Sequence, residues 1–248
     1  EPGVFDHRRR IMEIPMFVRT AVLGLLAALV AAGCGSASAP EAESGQPARS
    51  SASASAPAPA ARPRIVFLGD SLTAGLGLPA SQAFPSIIEE TLRAEGFDAQ
   101  VVNAGISGDT AAGGRRRLDW ALDGDVRVLV LALGANDGLR GNPVKAMQAD
   151  LQAIIRHAKA RGITVLLLGM EAPPNFGPEY TADFRRAFRD VADDEDVAFV
   201  PFFLDGVAGL PELNQGDGLH PNAAGARRIA GTVWSALAPL VEERLPAR

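Results

Sequence analysis

From Arg64 onward the chain alternates between two hydrophobic rhythms. Short, nearly continuous apolar runs occur at 65–68, 101–102, 126–133 (VRVLVLAL), 163–168 (ITVLLL) and 197–200 (VAFV). They are rich in β-branched residues and mostly unbroken by polar ones, which suits strands covered on both faces, as in a parallel sheet. Between them, apolar residues recur at helical spacing. Phe84, Ile87, Ile88 and Leu92 form one stripe. Val144, Met147, Leu151, Ile154, Ile155 and Ala158 form another, and Phe184, Ala187, Phe188 and Val191 a third. Gly96 follows the first, and Gly162 stops the second. A last helix is expected to open at Pro221, where a missing N–H costs nothing, with Ala226, Ile229, Ala230 and Val233 facing inward. Five strands alternating with helices predict an α/β fold, a three-layer doubly wound sandwich with a five-stranded parallel sheet over 64–248.

The stretch before this domain reads differently. Residues 21–32 are an unbroken run of Ala, Val, Leu and Gly, preceded by Arg19 and by Arg8, Arg9 and Arg10, and followed by Gly33-Cys34. The run is well short of the roughly 20 apolar residues a bilayer span needs. A basic start, a short apolar core and small residues at its end predict a secretory signal peptide over 1–34 and export to the cell envelope or periplasm. Met12 and Met16 are candidate start residues within it. Cys34 directly after small residues resembles a lipobox, with Ala31 standing where Leu is usual, and predicts a lipid anchor on Cys34 that holds the protein to a membrane. The alternative is ordinary cleavage nearby, with Cys34 a bystander. Residues 35–63 are Ser, Ala and Pro with a few charges; they bury too little to offset ordering entropy and are expected to form a disordered tether.

Composition narrows the function. Of 248 residues, 47% are hydrophobic, enough for a substantial core. The formal charge of −5 gives no general pull toward nucleic acid, so none is expected as a partner. One cysteine excludes an intrachain disulfide and a Cys-rich zinc site. No His/Cys/carboxylate cluster has ligand spacing, so no metal or cofactor is expected. The histidines are His7, His157 and His220.

Ligand sites of open parallel sheets lie outside the carboxyl ends of the strands, and the unusual residues here sit at those ends. They are Gly69-Asp70-Ser71-Leu72, then Asn103 to Asp109 (NAGISGD), Gly134-Ala135-Asn136-Asp137, and a late loop, Asp217-Gly218-Leu219-His220-Pro221. A serine hydroxyl needs a base to become a nucleophile, and histidine suits neutral pH. His7 lies in the signal segment, and His157 points away from the apolar stripe of its helix. His220 remains, with Asp217 three residues before it to hold the imidazole. Developing oxyanion charge needs donors. The Ser71 N–H, the Gly108 backbone and the Asn136 carboxamide are candidates. Asp70 and Asp137 are expected to fix their turns by local hydrogen bonds. The run Arg115-Arg116-Arg117 reads as a solvated helix face.

Taken in order, "FLGDSLTAG" at 67–75, "NAGISGDT" at 103–110, "GANDGLRG" at 134–141 and "DGLHPN" at 217–222 resemble the four blocks of the SGNH (GDSL) hydrolase superfamily. The long second and third blocks look most like its bacterial arylesterase, thioesterase I and lysophospholipase L1 branch. The resemblance spans about 64–240. It implies Ser71 as nucleophile, His220 as base, Asp217 as its orienter, and Gly108 and Asn136 completing the oxyanion hole with the Ser71 amide. It also implies the flavodoxin-like strand order 2-1-3-4-5 and a loop at 138–143 that moves on acyl binding. The α/β-hydrolase elbow, Gly-x-Ser-x-Gly, is not matched, because Thr73 stands at its second glycine.

Ile106, Leu139, Pro174 and Phe176 are candidate substrate-binding residues, with Leu72, Pro173, Tyr180 and Leu213 nearby in the pattern. The expected activity is that of a monomeric serine esterase. It would act on carboxylic esters or thioesters of aryl or medium-chain acyl groups through a Ser-His-Asp triad and an acyl-enzyme. A carbohydrate or peptidoglycan O-deacetylase would use the same triad with a short polar pocket. A non-catalytic, surface-tethered binding domain would leave Ser71 and His220 apart.

Overall fold

The computed structural model describes residues 62–245. The expected signal segment, Cys34 and all but the last two residues of the expected tether lie outside them. Five strands, β1 (Arg64–Gly69), β2 (Gln100–Gly105), β3 (Val126–Ala132), β4 (Thr164–Leu168) and β5 (Ala198–Val200), form one sheet. Every pairing is parallel, in the order β2-β1-β3-β4-β5. The expected fold class and strand order are both met. Residues 65–68 of β1 and 128–131 of β3 are fully buried, which is why these runs carry no alternating polar residues.

The helices are α1 (Ser71–Ala74), α2 (Phe84–Ala94), α3 (Ala111–Arg116), α4 (Leu118–Ala121), α5 (Ala135–Arg140), α6 (Val144–Ala160), α7 (Pro178–Glu195) and α8 (Ala223–Arg244). α2 packs with α8 on one face of the sheet, and α6 with α3 and α7 on the other. The predicted stripes supply the contacts: Ile88 and Leu92 on α2, Leu151, Ile154 and Ile155 on α6, and Phe184, Phe188 and Val191 on α7 are all buried. Phe67 of β1 meets Phe84 of α2 edge to face with ring centroids 5.7 Å apart, and Phe184 meets Phe188 at 5.4 Å.

Two expectations are corrected. α8 opens at Ala223, not Pro221. Asn222 is its N-cap, its side-chain oxygen accepting from the N–H groups of Ala224 and Gly225, while Pro221 pairs with Asn214 in an isolated bridge. An asparagine acceptor satisfies two free N–H groups, which a proline cannot do. Arg115 and Arg116 are exposed, but Arg117 turns inward, its side chain 14% exposed. It finds there three oxygen acceptors that compensate its burial.

Candidate active site

β1 delivers the Gly69-Asp70-Ser71 turn at the carboxyl edge of the sheet. Asp70 is 1% exposed and caps the short helix α1, its Oδ1 accepting from Leu72 N–H at 3.0 Å. Ser71 is therefore the first residue of a helical turn, with its hydroxyl over the sheet edge. Close approach fixes this corner: a Cβ on Gly105 would sit 2.3 Å from the Ala74 backbone nitrogen.

The late loop brings its imidazole to the same place. Ser71 Oγ and His220 Nε2 are 2.9 Å apart, although 149 residues separate them in the chain. On the other side of the ring, His220 Nδ1 lies 2.6 Å from Asp217 Oδ2. The Asp217 Oδ1 accepts from the backbone N–H groups of Leu219 at 2.9 Å and His220 at 3.0 Å. These bonds hold the Asp217 carboxyl well below the usual carboxylate range, the His220 N–H first, then the ring and the Leu219 N–H. An ionised carboxylate only accepts, so Nδ1 carries the ring proton and Nε2 is left to accept from the serine hydroxyl. Gln215 fastens the loop to the turn after α1: its side-chain amide donates to Leu76 O at 2.7 Å and Pro221 O at 2.9 Å, and its N–H to His220 O at 2.7 Å.

Burial pushes the Asp70 carboxyl up to about 6, opposed by its bonds to Leu72 and Asn136 and by His220. Asp137 is also buried and accepts from the Asn142 side chain nearby and from the Ala111 N–H at the start of α3, so each carboxylate combines a local bond with one that ties two segments together. Asn136 Nδ2 donates to Asp109 O at 3.0 Å and to Asp70 Oδ2 at 3.3 Å. Gly108 has φ +85° in the turn after β2, and Arg140 donates to its carbonyl at 2.8 Å. His157 is half-exposed and lies 3.0 Å from Asp119 Oδ1.

A cleft of ≈ 530 Å³ opens over the hydroxyl. Ser71, Asn136 and His220 lie in its wall with Leu72, Leu139, Pro173 and Pro174. Ile106 and Phe176 lie outside that lining. Phe176 packs its ring 5.3 Å from that of Tyr180, and Tyr180 donates to Asn142 O. Leu213 packs against the core. Sequence reasoning did not place Met170, Glu171, Phe202, Leu204, Ala208 and Leu219 in the wall, which they also line. Met170 and Glu171 follow β4, a strand end that the sheet rule could have flagged. Phe202, Leu204 and Ala208 come from an irregular segment with no periodic signal. Glu171 is held by Arg185 at 2.9 Å. Among the described residues, no group of three or more His, Cys, Asp or Glu side chains is arranged to hold a metal.

The family model of GDSL-like lipases and acylhydrolases matches residues 67–228, from the middle of β1 into α8. The chain belongs to this GDSL-like lipase/acylhydrolase family. It is 45% identical over 182 residues to Esterase TesA of Pseudomonas aeruginosa, covering 73% of this chain and 90% of that protein. It is 36% identical, over 73% of this chain and 86% of the relative, to the Thioesterase 1/protease 1/lysophospholipase L1 of Escherichia coli. The crystal structure of the psychrotrophic esterase EstA from Pseudoalteromonas, inhibited by monoethylphosphonate, superposes with a TM-score of 0.69. That match has 34% identity over 72% of this chain and 98% of the other.

Proposed function

We propose that this GDSL-family protein is a serine esterase that hydrolyses carboxylic esters and thioesters of aryl or medium-chain acyl groups. The observation that carries the reading is the 2.9 Å approach of Ser71 Oγ to His220 Nε2 beneath a largely apolar cleft. Ser71 Oγ attacks the substrate carbonyl as His220 Nε2 takes its proton, and Asp217 stabilises the imidazolium. The Ser71 and Gly108 N–H groups and the Asn136 amide receive the tetrahedral oxyanion, Asn136 exchanging its 3.3 Å bond to Asp70 for the substrate oxygen. Collapse expels the alcohol or thiol, which takes the proton from His220. Water then attacks the acyl-enzyme with His220 again as base, and the acid leaves. The inhibition of EstA by monoethylphosphonate, a phosphorus acid ester of the kind that captures nucleophilic hydroxyls, supports this reading.

A cleft of ≈ 530 Å³ falls within the range that small-molecule sites occupy and exceeds what an acetyl group fills. This favours aryl or medium-chain esters over the O-deacetylase reading. A series of p-nitrophenyl esters from acetate to palmitate, with wild type, Ser71→Ala and His220→Ala, tests both points. Wild type should turn over medium chains fastest, and each variant should lose nearly all activity while keeping its circular dichroism spectrum. Full turnover by Ser71→Ala would reject the mechanism, and a strict preference for acetate would favour the deacetylase. Export and lipid attachment at Cys34 complete the proposal on the strength of residues 19–34. Mass spectrometry of wild type and Cys34→Ser from membranes checks it: only the former should carry acyl mass.

A further inference from the structure

Arg117 lies between α3 and α4, with its guanidinium turned under the site. Its Nε donates to Asp109 Oδ2 at 2.6 Å, its Nη1 to Ala104 O at 2.7 Å and its Nη2 to Gly69 O at 2.9 Å. Each acceptor belongs to a segment that carries part of the proposed oxyanion hole. Gly69 closes β1, two residues before Ser71. Ala104 and Asp109 bracket the turn that holds Gly108, and that turn is itself pinned to β1 by the Ile106 N–H donating to Gly69 O at 3.0 Å. The carbonyl of Asp109 accepts from Asn136 Nδ2. One planar fork thus ties together the β1 end, the 105–109 segment and, through Asp109, the amide of Asn136. Only a guanidinium offers this rigid set of donors, since an ammonium is a single point charge on a flexible stem.

We infer that Arg117 is a positioning residue for the oxyanion hole, an inference that rests on the serine-esterase reading above. It touches no substrate. It holds the peptide of Gly108 and the acceptor of Asn136 in register with the Ser71 N–H, so that three donors converge where negative charge develops. Misplacement of such groups by about 1 Å can cost on the order of 100-fold in rate, and the loss falls on kcat because the oxyanion exists only in the transition state.

The test uses Arg117→Lys and Arg117→Met in the full chain, with Asp109→Asn as a variant that keeps an acceptor oxygen but removes the charge. Active sites are counted by burst titration with a p-nitrophenyl phosphonate, so unfolded material does not enter kcat. At least about a 10-fold fall in kcat per titrated site is expected for Arg117→Lys and more for Arg117→Met, with KM within about 3-fold of wild type. Asp109→Asn should lose less than either. Combined with Asn136→Ala, the loss from Arg117→Lys should shrink, because both changes act on the same donors. Unchanged kcat per site in Arg117→Lys and Asp109→Asn, or losses that simply multiply with Asn136→Ala, would overturn the inference. If instead Ser71→Ala kept wild-type turnover, the esterase mechanism itself would be the part at fault.

Discussion

Asp217 grips His220 twice, once through the ring, at 2.6 Å from Nδ1, and once through the backbone, at 3.0 Å from its N–H. Both contacts are made within a single turn, so the orientation of the imidazole is set locally. Its meeting with Ser71 depends on the whole sheet.

Asp217→Asn should therefore keep the loop and lose the ring. An amide can offer N–H to Nδ1 and favour the wrong tautomer, which in a buried triad costs about 10⁴-fold in kcat. The Asp217 side chain is 46% exposed, and water can replace part of what is lost, so a fall of roughly 100-fold is expected here. Steady-state kinetics on a p-nitrophenyl ester measures it, and a loss under about 3-fold would mean that the carboxylate does not orient the base.

Asp70 and Asp217 should act on stability with opposite signs. Asp217 is held below its ordinary range, so its contribution is fully present above that range and is lost as pH falls beneath it, through the depressed folded-state value. Asp70 is raised from 3.8 to about 6. Between those values the folded chain keeps a proton that the unfolded chain has released. Its contribution is thus greatest below about 4 and declines by about 3 kcal/mol as pH rises through 6. Melting temperatures of wild type and Asp70→Asn from pH 4 to 8 isolate this. Wild type should lose ground to the variant as pH rises, and a constant difference would contradict the assignment.

Gly105→Ala and Gly231→Ala should move stability in opposite directions. A Cβ on Gly105 would press on the backbone of the helical turn that bears Ser71, which should cost about 1–3 kcal/mol and reduce turnover. A Cβ on Gly231, exposed within α8, meets nothing within 4 Å and should add up to about 1 kcal/mol through helix propensity. Urea titrations of both variants give the two signs.

Ala208→Trp probes the cleft from its exposed rim. An indole there should narrow the space above Ser71 and move the preferred acyl chain several carbons shorter, with acetate turnover little changed. The same p-nitrophenyl series reads this out. An unaltered profile would place the acyl chain elsewhere.

The sheet was legible because its strands are buried on both faces and so appear as unbroken apolar runs such as 126–133. The helices were legible because one face of each is covered. The approach of Ser71 to His220 was legible because the chain has few histidines and both residues lie in segments expected at the carboxyl ends of the strands. Arg117 was not, because an arginine that follows two exposed arginines has the same local pattern whether its guanidinium meets water or carbonyl oxygens. The segment carrying Phe202, Leu204 and Ala208 has no period, so its place in the wall depends on how β5 docks on β4. The start of α8 was missed because proline and asparagine are both good helix openers, and hydrogen bonding chose the asparagine.

All five strands point the same way, and β1 begins at Arg64, at the end of the sheet away from the cleft. Six residues at about 3.3 Å each then carry the chain across the molecule to the hydroxyl. The foot of β1 and the mouth of the cleft thus stand at opposite ends of the sheet, roughly 20 Å apart.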